Sequence, residues 1–89
     1  MYVRNSSTRT SDGAFTIGQV TAFSYRETGG AVARFTIRRA ATNGTILFDK
    51  VLAANEGNIV SLAIPVDFTV DGCFLKVESG AVSVTVVGI

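Results

Sequence analysis

The 89-residue chain has no His and no Trp, and only one Cys, one Pro and one Met. Each shortage removes a class of function. Without His, no Ser-His-Asp or Cys-His nucleophile can be assembled, and a zinc ion would find a single soft ligand. Cys73 has no partner for an intramolecular disulfide. It follows Asp71-Gly72 and opens an apolar run, which reads as a buried small hydrophobe rather than a reactive thiol. No apolar run approaches the ~20 residues that cross a bilayer as a helix, and the opening Met1-Tyr2-Val3-Arg4-Asn5-Ser6-Ser7 lacks a signal-peptide core. An intact cytosolic product, not attached to a membrane, is therefore expected.

The acids are too few and too scattered for chemistry. Asp67 with Asp71, and Asp49 with Glu56, each sit beside turn residues and read as solvated turn acids, without the dense spacing of a calcium loop. The glycines stand singly or in pairs at hairpin positions, and none forms a phosphate-binding loop leading into a helix. The expectation is a protein that is not an enzyme, with no cofactor and no metal.

What the chain does have is the material of β-structure. Apolar residues make up 47% against 17% charged, with a net charge of +1, a balance that excludes disorder. A single domain of this size buries roughly 60–65% of its unfolded surface, so its core is thin. Apolar content beyond the needs of such a core implies a partner surface, with a closed dimer or trimer as the default homo-oligomer.

Residues 5–13 are polar and read as a loop or mobile arm tipped by Tyr2 and Val3. From Ala14 the odd positions Phe15, Ile17, Phe23 and Tyr25 are apolar, with a bend or bulge at Gly18-Gln19. Gly29-Gly30 turns the chain into a strand over 31–39, where Ala33, Phe35 and Ile37 alternate with Arg34, Thr36 and Arg38. Asn43-Gly44 is a hairpin signal. Residues 45–54 fit no single period and read as a bulged strand, with a helical turn over 49–54 as the alternative. Val60, Leu62 and Ile64 make the next strand, which Pro65 ends or bends, and residues 66–70 a short one. Residues 74–78 and 81–87 form a last hairpin about Ser79-Gly80. Seven or eight short strands with turn chemistry between them specify an all-β fold: a small two-sheet antiparallel β-sandwich, Ig-like or jelly-roll-like, over residues 14–89, with an extended N-terminal arm over 1–13. The expected core is Phe35, Ile37, Val60, Leu62, Ile64, Leu75, Val77, Val82, Val84 and Val86.

Charge is uneven along the chain. Residues 1–40 hold six Arg against two acids, while residues 41–89 hold two Lys against five acids. Two readings of the basic strand stay open: ordinary surface solubility, and contact with carboxylates of a neighbouring subunit. Nucleic acid is not expected, because net charge is near zero and no exposed aromatics interleave with the arginines.

The stretch Gly29-Gly30-Ala31-Val32-Ala33-Arg34-Phe35-Thr36-Ile37-Arg38 through Gly44-Thr45-Ile46-Leu47-Phe48 resembles small virion proteins of tailed bacteriophages. So does the finish, with Pro65-Val66-Asp67-Phe68, Asp71-Gly72-Cys73-Phe74-Leu75-Lys76-Val77 and Val82-Ser83-Val84-Thr85-Val86. Cys73 stands where that pattern more usually has Leu or another aliphatic. The resemblance covers about residues 29–87 and implies a β-sandwich that decorates or cements the capsid, bridging major capsid proteins in the virion. The alternative it leaves open is a tail component or a receptor- or carbohydrate-binding β-module. On that footing the expected protein-interaction residues are Tyr2, Val3, Arg4 and Arg9 of the arm, with Arg34 and Arg38 on the outer face of their strand. The major capsid protein is the expected partner.

Overall fold

Strict alternation organises the central strands. In β4 (Ala33–Arg39) the side chains of Ala33, Phe35 and Ile37 are buried, and in β8 (Val82–Gly88) those of Val82, Val84 and Val86 are. Around them lie β1 (Asn5–Arg9), β2 (Gly13–Ala14), β3 (Gln19–Glu27), β5 (Thr45–Leu52), β6 (Gly57–Asp67) and β7 (Cys73–Ser79). The computed structural model describes residues 5–68 and 72–88, with residues 5 and 63–65 described through their backbone alone.

The strands form two four-stranded antiparallel sheets, in the orders β1-β8-β3-β6 and β2-β7-β4-β5. The topology follows from one operation. Folding the chain at the β4–β5 turn pairs β4 with β5, β3 with β6, β2 with β7 and β1 with β8. Rolling that long hairpin then brings β3 beside β8 and β4 beside β7. This is the jelly-roll arrangement, which decides between the two sandwich types left open by the sequence. Every ladder consequently joins a strand from the first half of the chain to one from the second half.

The core lies between the sheets. Phe23 and Tyr25 from β3 meet Phe35 from β4 and Phe48 from β5, with the Phe23 and Phe48 rings edge to face at 4.7 Å. Of the expected core, Phe35, Ile37, Leu75, Val82, Val84 and Val86 are buried, while Val60, Leu62 and Val77 pack against the core half-buried. The side chain of Ile64 lies outside those described. Bulges keep the register. Thr21 is the extra residue in β3 opposite β8, which is why Val20 and Phe23, three apart, both face inward. Leu47 is the extra residue in β5, so the bulged strand rather than the helical turn occupies this stretch.

Two expectations need correction. The segment read as a mobile arm enters the fold: Asn5–Arg9 is an edge strand pairing residue for residue with Gly88 to Val84 of the same molecule. Its stabilising bonds are made by the backbone, so polar side chains suffice. Residues 66 and 67 do not begin a separate strand after a break at Pro65, because β6 runs continuously from Gly57 to Asp67; residues 69 and 70 lie outside those described. Pro65 is tolerated because β6 is an edge strand and its pairing slips there, from Ala22↔Ser61 to Val20↔Val66.

Candidate interaction surface

The outer face of the β2-β7-β4-β5 sheet carries the charges that the sequence singled out. Arg34 makes a fork to Asp49 of β5, Nε to Oδ1 at 3.0 Å and the terminal nitrogen to Oδ2 at 2.6 Å. Arg38 donates to Glu78 of β7 at 2.8 Å, to the Gly44 carbonyl at 3.0 Å and to Thr36 Oγ1 at 2.9 Å. Thr36 in turn donates to Glu78 and is fully covered by the pair. Lys76 reaches Asp12, whose other oxygen accepts the Val77 backbone N–H at 2.7 Å. Arg34 and Arg38, expected to meet carboxylates of another subunit, thus each already have a carboxylate partner within the molecule. Strand β4 lies between β5 and β7, both from the acidic half of the chain, and these supply the counter-charges within the molecule.

These contacts hold the acids ionised. The Val77 N–H and then Lys76 lower the Asp12 pKa, the Arg34 hydrogen bond lowers that of Asp49, and Arg38 and then Thr36 lower that of Glu78. Asp49 raises Arg34 in return.

Arg9 serves its own chain as well. It donates to the carbonyls of Ser11, Asp12 and Ala14, folding the β1–β2 crossover around its guanidinium. Gly13 suits that fold, since its φ of +151° is one that L side chains rarely adopt and a Cβ there would push the guanidinium aside. Tyr2, Val3 and Arg4 lie outside the described residues.

Glu27 was not singled out by the sequence reading. Its side chain is buried at the end of β3 and accepts the backbone N–H groups of Asn55 at 2.8 Å, Gly30 at 2.9 Å and Gly29. Asn55 first, then the amides of residues 29–31, hold its carboxyl below the usual glutamate range. Glu27 thus ties the β3–β4 loop to the β5–β6 turn. The signal that could have found it is an acid two residues ahead of a Gly-Gly pair, whose amides need an acceptor.

With the charges used internally, exposed apolar groups stand out. Five large aliphatics are exposed among the described residues, and three of them, Ile46, Leu47 and Val51, lie on β5. As an edge strand β5 also presents unpaired backbone groups, yet it is guarded. Leu47 bulges it, and Lys50, opposite the buried Phe35, sits on the inward face and reaches Glu56 at 3.7 Å. An added strand would bury that ammonium. The matching edge at β6 is partly capped, because the Ile59 N–H donates to Asn58 Oδ1 at 2.8 Å.

Between these two edges the sandwich gapes. A cavity of about 240 Å³ runs inward from β5 and β6, with Leu47, Phe48, Val60 and Leu62 at its mouth and Phe23 and Cys73 deeper in. Burial pushes the Cys73 thiol up to about 12, so it stays neutral.

The outer face of the other sheet is different. Thr8, Thr85 and Ser24 form a hydroxyl row across β1, β8 and β3, with the Thr8 and Thr85 hydroxyls 2.7 Å apart. A shallow hollow over Gly57 is lined by Ser24, Arg26, Asn58, Ser83 and Thr85. Among the described residues no three His, Cys, Asp or Glu side chains converge. No family model, no curated protein and no solved structure matches the chain.

Proposed function

We propose that the protein is a structural component of a tailed-phage virion, a capsid cement or decoration protein that docks on major capsid proteins and bridges them. The observation that carries this reading is the three exposed aliphatics on one guarded edge strand: Ile46, Leu47 and Val51 offer side-chain packing, while Lys50 disfavours strand-to-strand aggregation. The jelly roll is also a recurrent capsid architecture, which supports the class by analogy. In this role the molecule works mechanically and without catalysis, its contacts opposing separation of the shell subunits. Mass spectrometry of purified particles from the phage encoding the chain should find it at a level comparable with the major capsid protein. Its absence from particles overturns the reading.

A carbohydrate-binding module is the second reading, favoured by the hydroxyl-lined hollow around Arg26. Tyr25 is buried there and offers no stacking platform. Saturable binding to a host polysaccharide, lost in Arg26→Ala, would favour it over docking.

A further inference from the structure

We infer that the cavity between β5 and β6 is a binding site for an uncharged hydrophobic small molecule about the size of two fused aromatic rings. The size follows from the volume: apolar cavities of ~150 Å³ take up benzene, and this one measures about 240 Å³. The chemistry follows from the walls. Every described side chain lining it is apolar or the neutral Cys73 thiol, so a charged group inside would lose its hydration with nothing to replace it. Water is a poor filler for the same reason, since it would find almost no hydrogen-bonding partners.

The occupant is a free molecule rather than a strand of another protein because the edges on either side resist strand addition. Leu47 bulges β5 and Lys50 would be buried by a neighbour, while the Ile59 N–H on β6 is already bonded to Asn58. A small ligand needs none of those backbone groups. It enters past Leu47, the most exposed residue of the lining, and meets the Phe48 and Phe23 rings. This inference stands apart from docking on a capsid, and either can fail without the other.

Naphthalene is the probe, with naphthalene-2-carboxylate as its charged counterpart. Added to the full chain, naphthalene should bind saturably, raise the melting temperature and shift the methyl resonances of Val60, Leu62 and Val86. The carboxylate should bind at least tenfold more weakly. Val60→Phe should fill the space and abolish binding in a folded protein. If that variant does not fold, Leu47→Trp at the half-exposed mouth blocks entry with less disturbance and should weaken binding at least tenfold. The inference is overturned if naphthalene shows no saturable binding up to its solubility, if the shifts map elsewhere, if the carboxylate binds equally well, or if a folded blocking variant binds like the parent.

Discussion

Arg34 and Asp49 join β4 to β5 by a two-point fork, with the guanidinium reaching diagonally past the opposed pair Thr36↔Asp49. The contact is one instance of a general consequence of the topology. Rolling a long hairpin sets first-half strands only beside second-half strands, so a basic first half and an acidic second half neutralise each other across the ladders. Arg38–Glu78 follows the same rule across β4 and β7, while Asp12–Lys76 also joins the two halves but with the signs reversed.

Stability should be flat in pH near neutrality and fall in acid. Asp12, Glu27, Asp49 and Glu78 all have folded values depressed below their ordinary 3.8 or 4.5. The unfolded chain therefore takes up protons first as pH drops, and the stabilisation these groups provide is full above their unfolded values and lost as pH falls through the folded ones. Melting temperatures should be nearly constant from about pH 6 to 8 and decline below about pH 4.5. A protein that melts at the same temperature at pH 3 and pH 7 contradicts the assignment of these contacts.

Glu27 should matter more than any exposed acid, since removing it orphans several backbone donors at once. Glu27→Ala should melt below Glu27→Gln, which keeps one acceptor oxygen, and both below the parent. Amide exchange at Gly30 and Asn55 should quicken in both variants. Equal melting of Glu27→Ala and parent would show that the carboxylate does not hold the two loops.

Val84 is fully buried, whereas Ile59 is 71% exposed. Val84→Ala should cost on the order of 1–3 kcal/mol, while Ile59→Ala should stay within about 0.5 kcal/mol of the parent. Denaturant titration measures both, and similar losses at the two sites would contradict the placement of the core.

Ala40 ends β4 at φ +75°, a left-handed conformation that costs an alanine its Cβ clearance. Gly accepts that region freely, so Ala40→Gly should raise the melting temperature by a few degrees, with relief of strain of roughly 1–2 kcal/mol exceeding the added chain entropy. A lower melting temperature would place the residue in another conformation.

The sandwich was legible because β4 and β8 alternate cleanly and Asn43-Gly44 and Gly80 carry their turns in their residue types. Edge strands were less so. The β1 sequence Asn5-Ser6-Ser7-Thr8-Arg9 has no apolar period, because its pairing with β8 rests on backbone bonds and hydroxyls. The destination of Arg34 and Arg38 was hidden for a related reason. Alternation tells which face a side chain takes, and only the roll of the sheet tells that Asp49 and Glu78 stand on either side. The cavity likewise depends on how far β5 and β6 splay apart, which no local pattern encodes.

Docking through β5 is tested most directly by particle occupancy. Ile46→Asp with Val51→Asp replaces two exposed aliphatics, and Thr8→Asp with Ser83→Asp places the same charges on the opposite sheet face. Both proteins should fold, and each would be offered to purified particles lacking the native protein. The account predicts at least about tenfold weaker attachment for the β5 variant, roughly 1.4 kcal/mol, with the control attaching like the parent. Full occupancy by the β5 variant, or loss confined to the control, would contradict it.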